Sequence, residues 1–384
     1  MPAARSPCPH FPDCVSCPWV GTPYPEQLAR KEGRVRDALA RHPSLSEVRL
    51  LGTQPSPRAF GYRQVVKLVA RRGREGLRLG VYRPGTHEVA DIRRCASHHP
   101  AANDVLTPLA SILERLRVPT YDERRGTGWL RYVVVRVGGE RRVQLVLVVR
   151  DLQFAGERQL VRTLAGLRGV AGIELNVNES PGNALYGPRF LTASGEPALS
   201  DGVGELELRS GAGSFVQANP VAARRAYETV LRLADPKPGE SALDLYCGVG
   251  AISLLLARAG ASVQGFEDSP RAVRDARANA KKNGLDVRFE EGDAAHALAR
   301  LAREGSRVDL VTLNPPRRGA ASEVREAIAK LAPKRVVYLS CDPDTLARDL
   351  DDLAQRGFVP RSVEPFDFLP HTEHVEAVAV MERE

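Results

Sequence analysis

Read for the alternation of apolar and polar positions, the second half of the chain breaks into short apolar runs separated by longer amphipathic stretches. The runs from Ala242 to Tyr246, Ser262 to Phe266, Val287 to Phe289, Val308 to Leu313 and Val336 to Leu339 have strand length. The segments between them repeat their apolar residues at helical spacing. Strand and helix in alternation predict a mainly parallel sheet covered by helices on both faces. Two further extended runs, Phe358 to Phe368 and Glu376 to Met381, predict an antiparallel hairpin, which brings the expected sheet to seven strands. The fold class is therefore α/β and Rossmann-like, preceded by a separate α+β domain.

A length of 384 residues exceeds what one core usually serves. Two domains are expected, 1–200 and 201–384. No apolar run approaches the roughly 20 residues that a membrane helix needs, and the N-terminus lacks the residue order of a signal peptide. The expectation is a cytoplasmic protein with no membrane partner, and nothing implies a protein partner.

Charge separates the same two parts. Residues 1–200 hold 30 Lys and Arg against 18 Asp and Glu, whereas residues 201–384 hold 25 against 29. The basic part has clusters at Arg71, Arg72, Arg74 and Arg78 and at Arg124, Arg125 and Arg131, interleaved with Tyr62, Tyr121, Trp129 and Tyr132. Such a mixture suits phosphates and unstacked bases, so RNA is the expected partner. Scattered arginines serve equally well to solvate a surface.

In parallel sheets of this kind, ligands bind beyond the carboxyl ends of the strands. The first such end, Asp244-Leu245-Tyr246-Cys247-Gly248-Val249-Gly250, turns from strand to helix through two glycines, but Ala251, Ile252 and Ser253 leave the dinucleotide fingerprint incomplete. The second places Glu267 where a carboxylate accepts hydrogen bonds from ribose hydroxyls. Asp293, in Glu291-Gly292-Asp293-Ala294, is placed to accept from an adenine amine. A nucleoside-bearing ligand without a pyrophosphate fits all three, and S-adenosylmethionine is the expected cofactor.

The fourth strand leads into Asn314-Pro315-Pro316-Arg317-Arg318-Gly319. Amino-group methyltransferases carry a similar Asn-Pro-Pro followed by an aromatic, but Arg317 stands in that place, which disfavours methylation of an exocyclic amine. The Asn314 amide both donates and accepts, and so matches the N3–H and O4 edge of uracil. The fifth strand ends at Cys341, before Asp342-Pro343 and a helix-like stretch. A lone cysteine is more often inert than nucleophilic, so its surroundings decide its role.

Together these segments resemble the RNA 5-methyluridine methyltransferases, a class I S-adenosylmethionine-dependent family. The matching pieces are Ser214-Phe215-Val216-Gln217-Ala218-Asn219, the turn from Asp244 to Gly250, Asn314 to Gly319, Ser340-Cys341-Asp342-Pro343 with Thr345-Leu346-Ala347-Arg348-Asp349, and Pro370-His371-Thr372-Glu373-His374-Val375-Glu376. Pro25-Glu26-Gln27-Leu28 and the N-terminal cysteines extend the likeness over nearly the whole chain. The resemblance implies Cys341 as nucleophile, Glu376 as general base, and Gln217, Tyr246, Gly248, Glu267, Asp293 and Asn314 around the cofactor. Phe215 is the expected stacking partner for a flipped base, with Asn314 as a second contact to it. His371 and His374 are candidates to modulate Glu376.

Four cysteines remain outside the catalytic part: Cys8, Cys14, Cys17 and Cys95. In a cytoplasmic chain four thiols more readily bind a metal centre than form disulfides, and their spacing accommodates zinc or an iron-sulfur cluster alike. The resemblance implies a 4Fe-4S cluster with a structural role in the N-terminal domain. Only seven residues precede Cys8, leaving no room for the RNA-binding TRAM barrel of many relatives. That feature and the Asn form of the Asn314 motif are similar to the branch acting on 23S ribosomal RNA. The same chemistry on tRNA is the alternative, and a non-catalytic iron-sulfur RNA-binding protein is a third reading that intact Cys341 and Glu376 disfavour.

Overall fold

The apolar runs build two compact units, which the computed structural model describes over residues 8–11, 13–73, 76–182 and 184–383. Arg74 of the first basic cluster lies outside the described residues. One unit comprises the described residues up to Gly21, with Arg58–Asp201 and Ser210–Asn219. The other comprises Thr22–Pro57, Gly202–Arg209 and the described residues from Pro220 on.

The expected boundary at 200/201 therefore needs correcting, because Thr22–Pro57 belongs with the catalytic part. Its helix α1 (Tyr24–Ala40) turns Val35, Ala38 and Leu39 into the same core as Leu346, Leu350 and Leu353. Its short strand β1 (Arg49–Leu50) adds a parallel edge to the sheet. Burial of each such Val or Leu is worth about 1.5–3 kcal/mol, which adds to the polar contacts that hold the segment.

The first unit contains β2 (Val65–Gly73), β3 (Gly76–Tyr82), β4 (Val89–Asp91), α2 (Pro100–Arg115), β5 (Leu130–Val137), β6 (Val143–Val149), α3 (Glu157–Ala165), β7 (Val170–Val177) and β8 (Arg189–Gly195). Its seven strands run in the order β4-β3-β2-β5-β6-β7-β8. All neighbours are antiparallel except β6 and β7, which the α3 crossover makes parallel. Leu106, Leu109 and Leu113 of α2 and Leu160 and Leu164 of α3 pack on Val133, Val135, Leu145 and Leu147. The alternate residues Val134, Val146 and Val148 face the other side, as the two-residue strand period requires. A ribbon of β9 (Ala198–Val203) and β10 (Leu206–Gly211) follows, and the chain passes from one unit to the other within it.

The second unit continues with α4 (Pro220–Ala234), β11 (Ser241–Leu245), α5 (Ala251–Arg258), β12 (Ser262–Glu267), α6 (Pro270–Lys282), β13 (Val287–Glu291), α7 (Ala294–Arg303), β14 (Leu310–Leu313), α8 (Ser322–Leu331), β15 (Arg335–Ser340), α9 (Pro343–Gln355), β16 (Phe358–Phe366) and β17 (Glu376–Arg383). Its sheet order is β1-β16-β17-β15-β14-β11-β12-β13, eight strands rather than the expected seven because of β1. The strands from β11 to β15 are parallel, and β17 runs antiparallel between β15 and β16. Alternation again divides the faces. Leu243, Leu245, Val336 and Tyr338 meet α1, α7, α8 and α9, while Ala242, Val263, Val337 and Leu339 meet α4 and α5. Among the described residues no helix is long and apolar enough to cross a membrane.

Candidate active site

The register of the second sheet brings the candidate residues to one edge. Leu245 pairs with Phe266 and Leu313, Glu267 with Glu291, and Leu313 with Tyr338. Tyr246, Glu267, Asp293, Asn314 and Cys341 thus all lie at or just beyond the carboxyl ends of parallel strands. Glu376 joins them from the opposite direction. Ser340 is registered against Ala377, so Cys341 and Glu376 each stand one position further along the same antiparallel ladder.

The glycine turn is shaped for close approach. Tyr246, Gly248 and Gly250 all have positive φ, at 59°, 55° and 88°. A Cβ at Gly248 would meet nothing within 4 Å, which leaves open space against its backbone. Glu267 closes this cradle, its Oε2 accepting from the Gly248 N–H at 3.0 Å and its Oε1 from the Ser269 N–H at 2.9 Å. Burial, followed by the hydrogen bond to Asp268, pushes the Glu267 carboxyl up to about 7. Below the turn, buried Asp244 accepts from Ser253 Oγ at 2.5 Å and Thr312 Oγ1 at 2.8 Å, and burial lifts its carboxyl to about 6. Open backbone, positive φ and a carboxylate at the next strand end fit the ribose and amino-acid ends of S-adenosylmethionine.

Asp293 has a second task. It is the N-cap of α7, its Oδ1 accepting from the backbone N–H groups of Ala295 at 2.9 Å and His296 at 3.2 Å.

Cys341 is held between a strand end and a helix start. Asp342 caps α9 by accepting from the N–H groups of Asp344 and Thr345, with Pro343 in the first turn. The thiol is half-buried, and burial, then the Glu376 charge, push it up to about 11, against the lowering effect of Arg317. Glu376 keeps some exposed surface, but its Oε2 is sealed from solvent and meets no hydrogen-bond donor among the described residues. Burial raises its carboxyl to about 7, opposed by the cations of Arg317 and Lys31. His371 and His374, the expected modulators, are not among the charges that move it.

Arg317, which the sequence marks only as standing where an aromatic would, thus acts on both Cys341 and Glu376. Its loop is clamped by α9. Thr345 Oγ1 donates to Arg317 O at 3.1 Å, and Arg348 Nη2 donates to Arg318 O at 2.9 Å. Fully buried Asp349 accepts from Ala320 N at 2.8 Å, Tyr338 OH at 2.7 Å and Arg325 Nη1 at 2.8 Å. The Thr345 to Asp349 motif is therefore a scaffold for the Asn314 loop. The Asn314 N–H itself donates to Leu245 O at 3.3 Å.

Phe215 and Gln217 belong to the other unit, on the loop after β10. Phe215 is 72% exposed, unusual for a large apolar side chain and suited to stacking.

The expected RNA-facing mixture of the first unit needs correction. Tyr62, Trp129 and Arg131 are buried. Trp129 packs in the core and donates to Asp151 O at 2.8 Å. Arg131 ties a loop together by donating to the carbonyls of Asn178, Ser180 and Gly182, with its guanidinium 4.7 Å from the Tyr121 ring centre. Arg71 and Arg72 bind Tyr121 O and Glu114. Arg124 and Arg125 are exposed and retain the expected character.

The metal expectation is not supported by side-chain positions. Among the described residues no three Cys, His, Asp or Glu side chains converge on a site that holds a metal ion. Cys14 and Cys95 pack against the apolar core, and Cys17 Sγ lies 3.6 Å from Ser97 Oγ. The donor chemistry still fits: the four cysteines lie in one unit and none is in a disulfide, and the charge of Cys8 adds to the effect of burial in raising both Cys17 and Cys95.

Known proteins similar to this chain are methyltransferases. The sequence model of the tRNA (uracil-5-)-methyltransferase family matches residues 202–384. An uncharacterized RNA methyltransferase of Geobacter sulfurreducens is 37% identical over 98% of this chain and 77% of its own length. One from Halalkalibacterium halodurans is 33% identical over 98% and 83%. The crystal structure of the Pyrococcus abyssi tRNA (uracil-54, C5)-methyltransferase with S-adenosyl-L-homocysteine superimposes with a TM-score of 0.79, at 26% identity over 96% of this chain and 84% of that one. With its strand-end carboxylates, glycine turn and paired Cys341 and Glu376, the chain belongs to the S-adenosylmethionine-dependent RNA uracil-5 methyltransferase family.

Proposed function

We propose that this protein methylates C5 of a uridine in 23S ribosomal RNA, with Cys341 as nucleophile and Glu376 as base. The observation that carries the chemistry is the β15–β17 register, which sets the two side chains one position beyond the Ser340–Ala377 pair. Uracil C5 is a weak nucleophile. Addition of the Cys341 thiolate to C6 turns the ring into an enolate with electron density at C5. S-adenosylmethionine, held by Gly248, Glu267 and their neighbours, supplies the methyl group. Glu376 then takes the C5 proton, the C5–C6 double bond re-forms, and the C6–S bond breaks to return the thiolate. A base poised near neutrality suits that step, and Glu376 is raised to about 7. Phe215 and Asn314 are proposed to receive the flipped base, and Gln217, Tyr246 and Asp293 to line the cofactor.

The ribosomal substrate rests on the Asn314 form of the motif. The tRNA reading is favoured by the matching family's name and by the Pyrococcus structure. Methylation assays on 23S fragments and on tRNA transcripts, with mass-spectrometric mapping of 5-methyluridine in cells lacking the gene, test both. Methylation of tRNA alone would overturn the ribosomal assignment.

The four thiols Cys8, Cys14, Cys17 and Cys95 are proposed as ligands of a structural 4Fe-4S cluster, supported by the donor set. No step of the reaction involves it. Anaerobically purified protein should hold about four irons per chain; a zinc-loaded or metal-free protein would overturn this.

A further inference from the structure

The segment that leads into Glu376 is tied down by α1, far away in sequence. Lys31, Gln27 and Asp367 are all fully buried. Lys31 Nζ donates to Asp367 Oδ1 at 2.5 Å and to Leu369 O at 3.1 Å, and Tyr24 OH donates to the other oxygen of Asp367 at 2.8 Å. Gln27 grips His371 twice. Its Oε1 accepts from the His371 backbone N–H at 2.8 Å, while its Nε2 lies 3.1 Å from His371 Nδ1 and donates to Thr22 O at 2.7 Å. A backbone N–H can only donate and a carbonyl can only accept, so the amide orientation is fixed and Nδ1 must be an acceptor. His371 also has a positive φ of 67°, a conformation that a non-glycine residue adopts only when its neighbours impose it.

A buried ion pair is rarely a net source of stability, since desolvation offsets its attraction. What this one offers is a fixed cation in the surroundings of a buried carboxyl. The groups that act on Glu376 or feel it are Arg317 from the loop after β14, Lys31 from α1, Cys341 at the end of β15 and Tyr227 from α4. Asp367 is the counter-charge to Lys31, Asp244 reaches Tyr227, and His374 feels Arg317, Glu373, Lys31 and Arg34. Arg317 is exposed and screened by solvent; Lys31 is not.

We propose that Gln27 and Lys31 of α1 are positioning residues for Glu376, together fixing the segment that leads into it, Gln27 at the His371 backbone and Lys31 at Asp367 and the Leu369 carbonyl. The proposal rests on the reading of Glu376 as the base. It assigns one geometric effect to two neighbouring turns of one helix.

The test uses the full-length protein in single turnovers with S-adenosylmethionine and RNA carrying [5-³H]uridine, where tritium release reports loss of the C5 proton. In Lys31→Gln/Asp367→Asn a neutral hydrogen-bonded pair replaces the ions. Methyl transfer should proceed as in the wild type, while tritium release slows about fivefold at every pH, because the shorter neutral pair holds the segment before Glu376 less firmly. In Gln27→Leu the charge is untouched, and release should slow equally at every pH. A folded double variant that releases tritium at the wild-type rate, or one that loses methyl transfer in equal measure, would overturn the role of Lys31. Should the double variant not fold, a folded Gln27→Leu with wild-type release overturns the proposal by itself. Wild-type protein that methylates RNA without releasing tritium would sink the uracil-C5 reading, and this proposal with it.

Discussion

Gly250 and Phe289 leave each other no room: a Cβ at position 250 would come within 2.8 Å of Phe289 Cζ, with Ala276 Cβ at 3.3 Å on the other side. Its φ of 88° adds strain for any other residue. Gly250→Ala should therefore displace the start of α5 and the glycine turn with it. Calorimetry should show S-adenosylmethionine affinity reduced at least about tenfold, since strain of roughly 1–3 kcal/mol falls on the turn. Gly248→Ala meets open space and strains only φ, so it should fold normally while blocking the cofactor approach.

Cys341 is assigned a covalent role, so protein incubated with cofactor and 5-fluorouridine RNA should form an adduct that survives denaturing electrophoresis. Cys341→Ala should abolish it. The thiol is pushed up by burial and by Glu376, so its alkylation by iodoacetamide should be slow at pH 8. Glu376→Gln removes that negative charge and should speed alkylation several-fold. An unchanged rate would separate the two side chains electrostatically.

Glu376→Gln should also stall the reaction after methyl transfer, leaving a covalent complex with ordinary uridine RNA. The same change has a predicted cost-free benefit. Folded Glu376 keeps its proton up to about pH 7, whereas the unfolded chain releases it near 4.5, so the folded state loses stability as pH rises between these values. Gln cannot ionise. The variant should be more stable than the wild type above pH 7, by roughly 3 kcal/mol, and equally stable below about pH 4, as thermal melting at the two pH values checks.

Asp349 joins Arg325, Tyr338 and the Ala320 backbone at one buried point. Asp349→Ala would remove the acceptor shared by Tyr338 OH, the Ala320 N–H and one arm of Arg325, which keeps Asp352 at 2.7 Å, and so loosen the Asn314 loop at a cost of about 1–3 kcal/mol. Thermal melting should show the loss, and methyl transfer should fall in parallel; a variant with normal stability would deny the clamp.

Much of this site was legible in the sequence because a repeating strand and helix pattern is local, and strand ends follow from it. The hairpin partners Phe358–Phe366 and Glu376–Arg383 and the strand-end residues Glu267, Asn314 and Cys341 needed no long-range knowledge. Other features depend on partners that no periodicity names. The apolar stripe of α1 shows that the helix is buried somewhere, and Lys31 and Asp367 are 336 positions apart. Arg131 and Trp129 were read as surface because their polar ends suit RNA, yet carbonyl oxygens inside the first unit use those ends instead. Asp349 stood in a recognisable motif whose scaffolding purpose appears only in three dimensions.

The placement of Thr22–Pro57 bears on how the protein comes to be folded. The residues 202–384 that match the family do not hold the whole of their own core: without α1 and β1 they would expose the flank of Leu346 and Leu350 and leave Asp367 without its cation. On the ribosome, Val35 and Leu39 emerge some three hundred residues before the α9 and β16 surfaces that cover them. Closing so long a loop is slow, and an amphipathic helix waiting that long is exposed to wrong partners. The catalytic sheet is thus finished by its earliest-made piece, and assembly of the Glu376 surroundings becomes a late event in folding.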